Sequence, residues 1–248
     1  MVQLQNREQE VLFLEHRRHA EHDPHGGGSA LSDVILGGQD GLVNILGIVL
    51  GVAAATNDPR LVLVAGLAGA LAESVSMGAV AYTSTLAQAE LYESEREREY
   101  RHTQNFPNVE REEVRSIYQK KGFQGDLLER VVATITADQD VWVSVMLSEE
   151  HGLAPTERGQ ALRSALIVGF SSLIGSLIPL GPFFFLPARL SMWVAVLTTA
   201  LVLFMVGVYK ARLTAGRPAK SGAQMAVIGT LSALAGYLVG LLLKVPVP

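Results

Sequence analysis

Five long apolar runs, at about 34–57, 61–87, 164–188, 190–209 and 222–243, constrain this chain more than any other feature. Each is near the ~20 residues a helix needs to cross a bilayer. Only helices and closed barrels satisfy their own backbone polar groups inside hydrocarbon. A soluble domain of 248 residues would show shorter, amphipathic segments instead. The pattern predicts an all-α polytopic membrane protein with five transmembrane helices and a small helical insert between the second and third. Its parts are a polar tail at 1–32, helices 1 and 2 at 33–87, the insert at 88–160 and helices 3 to 5 at 161–248. The polar start gives no cleavable signal peptide.

The second run does not end where its hydrophobicity ends. Beyond Ala87 it continues as AELYESEREREYRH, so Leu61–His102 reads as one helix, a membrane span that becomes a charged arm. The insert at 88–160, which includes this arm, holds 15 acidic and 9 basic residues. Asn108 is placed to cap a helix ending at Gly122, Asp126-x-x-Glu129 resembles a capping box, and Asp138 is placed to cap a third helix that stops at Gly152. In the tail, 7–18 reads as a short amphipathic helix. His16, His19, His22 and His25 recur every third residue, either as a loose metal cluster or as part of a polar tail broken by Pro24 and Gly26–Gly28. Gly37-x-x-x-Gly41 and Gly47-x-x-x-Gly51 are spacings that let helix backbones approach closely, a weak dimerisation signal by themselves.

Lysine and arginine set the orientation. The tail, the insert and the 210–220 loop carry 3, 9 and 4 basic residues, whereas the alternate loops hold Arg60 and Arg189 and the C-terminal end Lys244. The N-terminus and insert are therefore expected in the cytosol and Pro248 across the membrane. The net charge of −4 gives no reason to expect a nucleic-acid partner. With no cysteine, any metal must be held by carboxylate, imidazole, thioether or backbone oxygen.

Ionisable residues at membrane depth are costly and mark functional sites by default. Asp40 and Asn44 lie four apart on one face of the first span, as do Glu73 and Met77 on the second. Asp40 is only about two turns inside the apolar edge, so it reads equally as an interfacial cap. Met77 taken alone reads as packing. Two carboxylates can neutralise a divalent cation and exchange it for protons, and a thioether favours Fe²⁺ over Mg²⁺ or Ca²⁺. In the insert, Glu99 and His102 are three apart, as are Glu110 and Glu113, and Met146 and Glu150 are four apart. These pairs either converge on metal ions or form solvated salt-bridge rows.

The stretches SDVILGGQDGLVNILGIVLGVAAAT and ALAESVSMGAVAYTS, the Met146-x-x-x-Glu150-x-Gly152-Leu153 pattern and the LIPLGP of the third span together resemble the vacuolar iron transporter family from Asp33 onward. The resemblance implies a five-span homodimer that exchanges cytosolic Fe²⁺, in some members Mn²⁺, for protons. It places Asp40 and Met77 on the translocation path at the dimer interface. It also implies a cytosolic metal-binding domain whose ligands fall on Glu99, His102, Glu110, Glu113, Met146 and Glu150. His102 stands where the family has glutamate, which adds pH sensitivity near neutrality, and Leu147 where a second methionine is familiar. Glu73 has no universal counterpart.

The expected function is thus a proton-coupled antiporter, not an enzyme, moving Fe²⁺ and in the alternative Mn²⁺ out of the cytosol for sequestration or detoxification. Its substrates are divalent metal ions and protons, it sits in a lipid bilayer and it needs no cofactor. The membrane would be vacuolar in a eukaryote and cytoplasmic in a prokaryote. Glu99-x-x-His102 is also the spacing of ferritin-like di-iron sites. The alternatives are therefore a membrane-tethered iron oxidase, for which a second such motif is missing, or a metal-buffering protein.

Overall fold

The computed structural model describes residues 28–213 and 216–243. Among them the chain forms eight α-helices, one 3₁₀ turn and no strand. The expected helix at 7–18, the four tail histidines, Lys244 and Pro248 lie outside the described residues. The helices are α1 (Gly28–Thr56), α2 (Pro59–Asn105), α3 (Pro107–Lys120), α4 (Gly125–Ile135), α5 (Gln139–Glu149), α6 (Gly159–Leu180), α7 (Ala188–Leu213) and α8 (Pro218–Leu242). Five of them (α1, α2, α6 with its 3₁₀ extension, α7 and α8) are long and apolar enough to cross a membrane. All five expected spans are present. Their ends run further than hydropathy suggests: Gly28 is already helical, α6 starts four residues before Arg163, and α7 continues past Lys210. A helix does not stop where the bilayer does, and polar ends continue the backbone ladder into water.

The described residues divide into two compact units, one formed by those up to 79 together with those from 166 onward, the other by 80–165; α2 contributes residues to both. In the first unit α1 is the central element. Ile45, Leu46, Val49, Leu50 and Ala53 are fully or almost fully buried, with Val62 and Ala70 of α2, Leu180, Phe183, Ala195 and Ala233 completing that core. Its two small-residue motifs are used within the chain. A Cβ on Gly37 or Gly41 would overlap the carbonyl oxygen of Val168 or Ser172 on α6, and one on Gly236 or Gly240 of α8 would overlap that of Gly47 or Gly51. Backbones in such contact gain packing that larger residues exclude. The other spans turn large apolar side chains outward, among them Val64, Val75, Phe170, Trp193 and Leu197. A water-soluble bundle would bury these, whereas lipid accepts them.

The α1–α2 turn forms at Asn57-Asp58-Pro59. Asn57 takes a left-handed φ of 52°, and Asp58 Oδ1 accepts the Arg60 N–H at 2.8 Å, capping α2 with Pro59 in its first turn.

The second unit has its own core of Val114, Leu128, Val132, Ile135, Trp142 and Met146. Asp138 caps α5 as expected, its Oδ1 accepting from the N–H groups of Asp140 and Val141 at 2.8 and 3.1 Å. Two other expected caps are corrected. Pro107 opens α3 with Phe106 at the cap, so Asn108 lies inside the helix; proline's fixed φ and missing N–H suit the first helical position. No side chain caps α4, which starts at Gly125 after Gln124. There Glu129 is drawn away by a forked ion pair with Arg115, at 3.0 Å to Nε and 2.8 Å to Nη2.

The backbone contact between α1 and α8 predicts that Gly236→Ala costs about 1–3 kcal/mol, seen as a lower unfolding temperature in detergent. Gly159→Ala, at a helical glycine with open space around it, should change nothing. Equal unfolding temperatures for the two variants would contradict the close approach.

Candidate metal sites

Each unit holds a cluster of acidic groups, and the two are built differently. In the first unit Asp40 and Asn44 project one turn apart from α1, and Glu73 comes from α2. The Asn44 side-chain amide donates to Asp40 Oδ1 at 3.2 Å and to Glu73 Oε1 at 2.5 Å. One neutral donor thus ties together two carboxyl groups on helices long enough to span a membrane. Asn44 and Glu73 also line a groove of about 800 Å³ between α1, α2 and α8, whose remaining walls are glycine, alanine, serine and aliphatic side chains. Asp40 is half-buried beside them. Met77 is half-buried one turn beyond Glu73 on α2 and is not among the groove-lining residues. Three of the four expected path residues therefore meet within one chain.

In the second unit Glu99 and His102 on α2 face Glu110 at the start of α3. One ligand atom from each lies within 4.8 Å of the others. His102 Nδ1 is 3.4 Å from Glu110 Oε1 and 4.0 Å from Glu99 Oε1. Glu99 is 2% exposed and Glu110 5%, and Oε2 of each has no hydrogen-bond partner. Buried carboxylates left this bare are costly. Burial, reinforced by the charges of Glu99, Glu113 and Glu150, pushes the Glu110 carboxyl up to about 7. Glu150 is raised from its ordinary value too, by desolvation and then by Glu113. Glu113 and Glu150 thus feel this cluster electrostatically. Met146 is wholly buried in the unit's apolar core. A divalent cation would relieve the concentrated negative charge, and the donors (carboxylate oxygen and imidazole nitrogen) suit first-row transition ions.

Sequence reasoning missed Glu95 and His151. His151 Nε2 lies 3.1 Å from Glu99 Oε1, and Glu95 joins both in a second group of three. The signal for Glu95 was its place one turn before Glu99 on the same helical face, hidden by the run of alternating charge. Residues 96–98 of that run are indeed exposed.

Residues 31–241 match the profile of the VIT family. The chain belongs to that family. It is 33% identical over 206 residues to "Vacuolar iron transporter 1" of Tulipa gesneriana, covering 83% of each chain. Identity is again 33%, over 211 residues, to a protein of the same name from Oryza sativa subsp. japonica, covering 85% of this chain and 84% of the rice protein. The "Vacuolar iron transporter" of Plasmodium falciparum is 28% identical over 224 residues, covering 86% and 82%.

With the Glu110 carboxyl raised, metal binding at this cluster would be coupled to proton release. Near pH 7 a cation would displace a proton that Glu110 partly holds, so metal affinity should climb from pH 6 to 8 and level off above that range. Without metal the sign is opposite: the folded chain binds more protons than the unfolded one between about pH 4.5 and 7, so Glu110 lowers stability as pH rises through that window. Titration calorimetry in buffers of different ionisation enthalpy should find proton release at pH 7 that shrinks in Glu110→Gln. Equal release by both chains would contradict this coupling.

Proposed function

We propose that this protein carries Fe²⁺ out of the cytosol across a membrane in exchange for protons, with Mn²⁺ as an alternative cargo. The observation that carries the reading is the meeting of Asp40 and Glu73 around Asn44 on helices able to span a bilayer. Acids at that depth need compensation. Two protons or one divalent cation supply the same charge, so a site of two carboxyls can alternate between them without leaving net charge in hydrocarbon. Fe²⁺ entering the site would replace part of its water shell with Asp40 and Glu73 oxygens, while the Asn44 carbonyl offers a further ligand if its amide turns. Protons arriving from the acidic side would neutralise the acids and release the ion.

Met77 would add a soft donor one turn along α2, and the cluster of Glu99, His102, Glu110, Glu113, Met146 and Glu150 would collect the ion on the cytosolic side. The orientation follows from the basic residues. The last turn of α7 carries Lys210 and Arg212, and together with the arginines and lysines of the insert these mark the cytosolic face. A homodimer, implied by the family resemblance, would bring Asp40, Glu73 and Met77 of the two copies together on a path at their interface. The names of the relatives favour flux over the ferritin-like oxidase.

The test is Fe²⁺ entry into proteoliposomes holding the purified protein, with lumenal pH recorded alongside. An acidic lumen should drive accumulation with a matching rise in lumenal pH, and collapsing the gradient with a protonophore should stop it. Met77→Leu conserves volume and should slow entry several-fold. Accumulation that ignores the gradient would overturn the proton coupling. Single cysteines at positions 58 and 220 should label from opposite sides of the membrane, and labelling from one side would overturn the orientation.

A further inference from the structure

The carboxylate of Glu99 stands between two imidazoles. Toward α3 it faces His102 and Glu110; toward the end of α5 it faces His151. His151 is held there by the way α5 finishes. Its backbone N–H donates to the Met146 carbonyl at 3.3 Å, the Leu153 N–H donates to Leu147 at 2.9 Å, and Gly152 turns the chain with a left-handed φ of 64°. Only glycine takes that conformation without strain, so the turn fixes the ring rather than leaving it on a loose tail. Glu95 approaches from one turn earlier on α2. One of its oxygens, Oε2, is paired at 2.7 Å with the half-exposed Arg98.

The second oxygen of Glu99 decides what this arrangement is for. Glu99 is 2% exposed, and a hydrogen bond from His151 would satisfy only Oε1; Oε2 remains buried and unpartnered. A plain imidazole–carboxylate pair does not account for it. Both imidazoles lie against the same oxygen, Oε1, His151 Nε2 at 3.1 Å and His102 Nδ1 at 4.0 Å. Glu99 thus belongs to two groups of three potential ligands at once, the placement of a carboxylate shared between two cations, with Oε2 free to join either. Resting on the reading of the insert as metal-binding, we propose that Glu95, Glu99 and His151 form a second divalent-cation position, which shares Glu99 with the position made by Glu99, His102 and Glu110. Each position supplies one imidazole nitrogen and two carboxylates. That donor set takes Mn²⁺, Fe²⁺, Co²⁺ or Zn²⁺ in preference to Mg²⁺ or Ca²⁺. Ions sharing a carboxylate lie about 3.5–4 Å apart, close enough for unpaired electrons on the two to couple.

The test uses the full-length chain in detergent, with Co²⁺ to count ions and Mn²⁺ for spin coupling. His151→Gln and Glu95→Gln should each lose one Co²⁺ equivalent, or weaken it at least tenfold, with the remaining equivalents unchanged. Wild-type protein loaded with Mn²⁺ should show the electron paramagnetic resonance of an exchange-coupled pair, and His151→Gln only that of isolated ions. Should that variant fail to fold, the wild-type spectrum decides alone: isolated ions at full loading overturn the shared carboxylate. Wild-type Co²⁺ stoichiometry and affinity in His151→Gln would also overturn the proposal and reduce His151 to a hydrogen-bond partner of Glu99. Glu110→Gln/Glu113→Gln separates the two readings. Loss of binding there, with His151→Gln unaffected, leaves the insert a metal-binding unit without this position. Unchanged binding in every variant would remove both.

Discussion

Charge on helices long and apolar enough to cross a membrane is the constraint around which the first unit is arranged. Asp40 and Glu73 sit on two of them, and the neutral side chain of Asn44 donates to both. A leucine at position 44 would leave two carboxyl groups to find separate partners among aliphatic neighbours, at a cost of several kcal/mol. Holding the acids together makes them one site with one charge problem, which in the proposed function a divalent ion or protons would solve. The glycines and alanines among the walls of the groove beside them leave space that larger side chains would fill.

The small residues serve the same end. α1 touches α6 through Gly37 and Gly41 and α8 through Gly47 and Gly51. The helix that carries Asp40 and Asn44 is therefore fixed by backbone contact on two sides rather than by long, adaptable side chains. The second unit solves its charge problem differently. Glu99 and Glu110 are buried, and that burial, reinforced by the neighbouring carboxylates, raises the Glu110 carboxyl to about 7. A cluster of this kind stores affinity for cations: the repulsion it accepts when empty is released on binding.

Most of this architecture was legible in the sequence because hydrophobic length is an additive property. Runs near 20 residues announce spans whatever their neighbours do. The continuation of α2 into the charged arm was readable for a related reason, since no glycine or proline interrupts it between Gly78 and Asn105. Local chemistry was less legible where two signals compete. Asn108 looked like a cap until Pro107 claimed the first turn, and Glu129 looked like half of a capping box although Arg115 holds it in a fork. Pairings of acids within one helix followed from spacing, but pairings between helices did not. Neither the bridging role of Asn44 nor the approach of His151 to Glu99 has any signature in spacing, because the residues are 29 and 52 positions from their partners. The glycine motifs showed that backbones would meet without saying which ones.

The account stands on Asp40 and Glu73 acting as one cation-and-proton site. The most direct measurement is Fe²⁺ entry into acidic-lumen proteoliposomes by Asp40→Asn and Glu73→Gln, each first shown to bind metal at the insert as the unaltered protein does. The account predicts that Asp40→Asn abolishes entry, and that Glu73→Gln abolishes it or lets Fe²⁺ pass without the matching rise in lumenal pH. Entry at the wild-type rate, with the wild-type pH rise, in Asp40→Asn would contradict it.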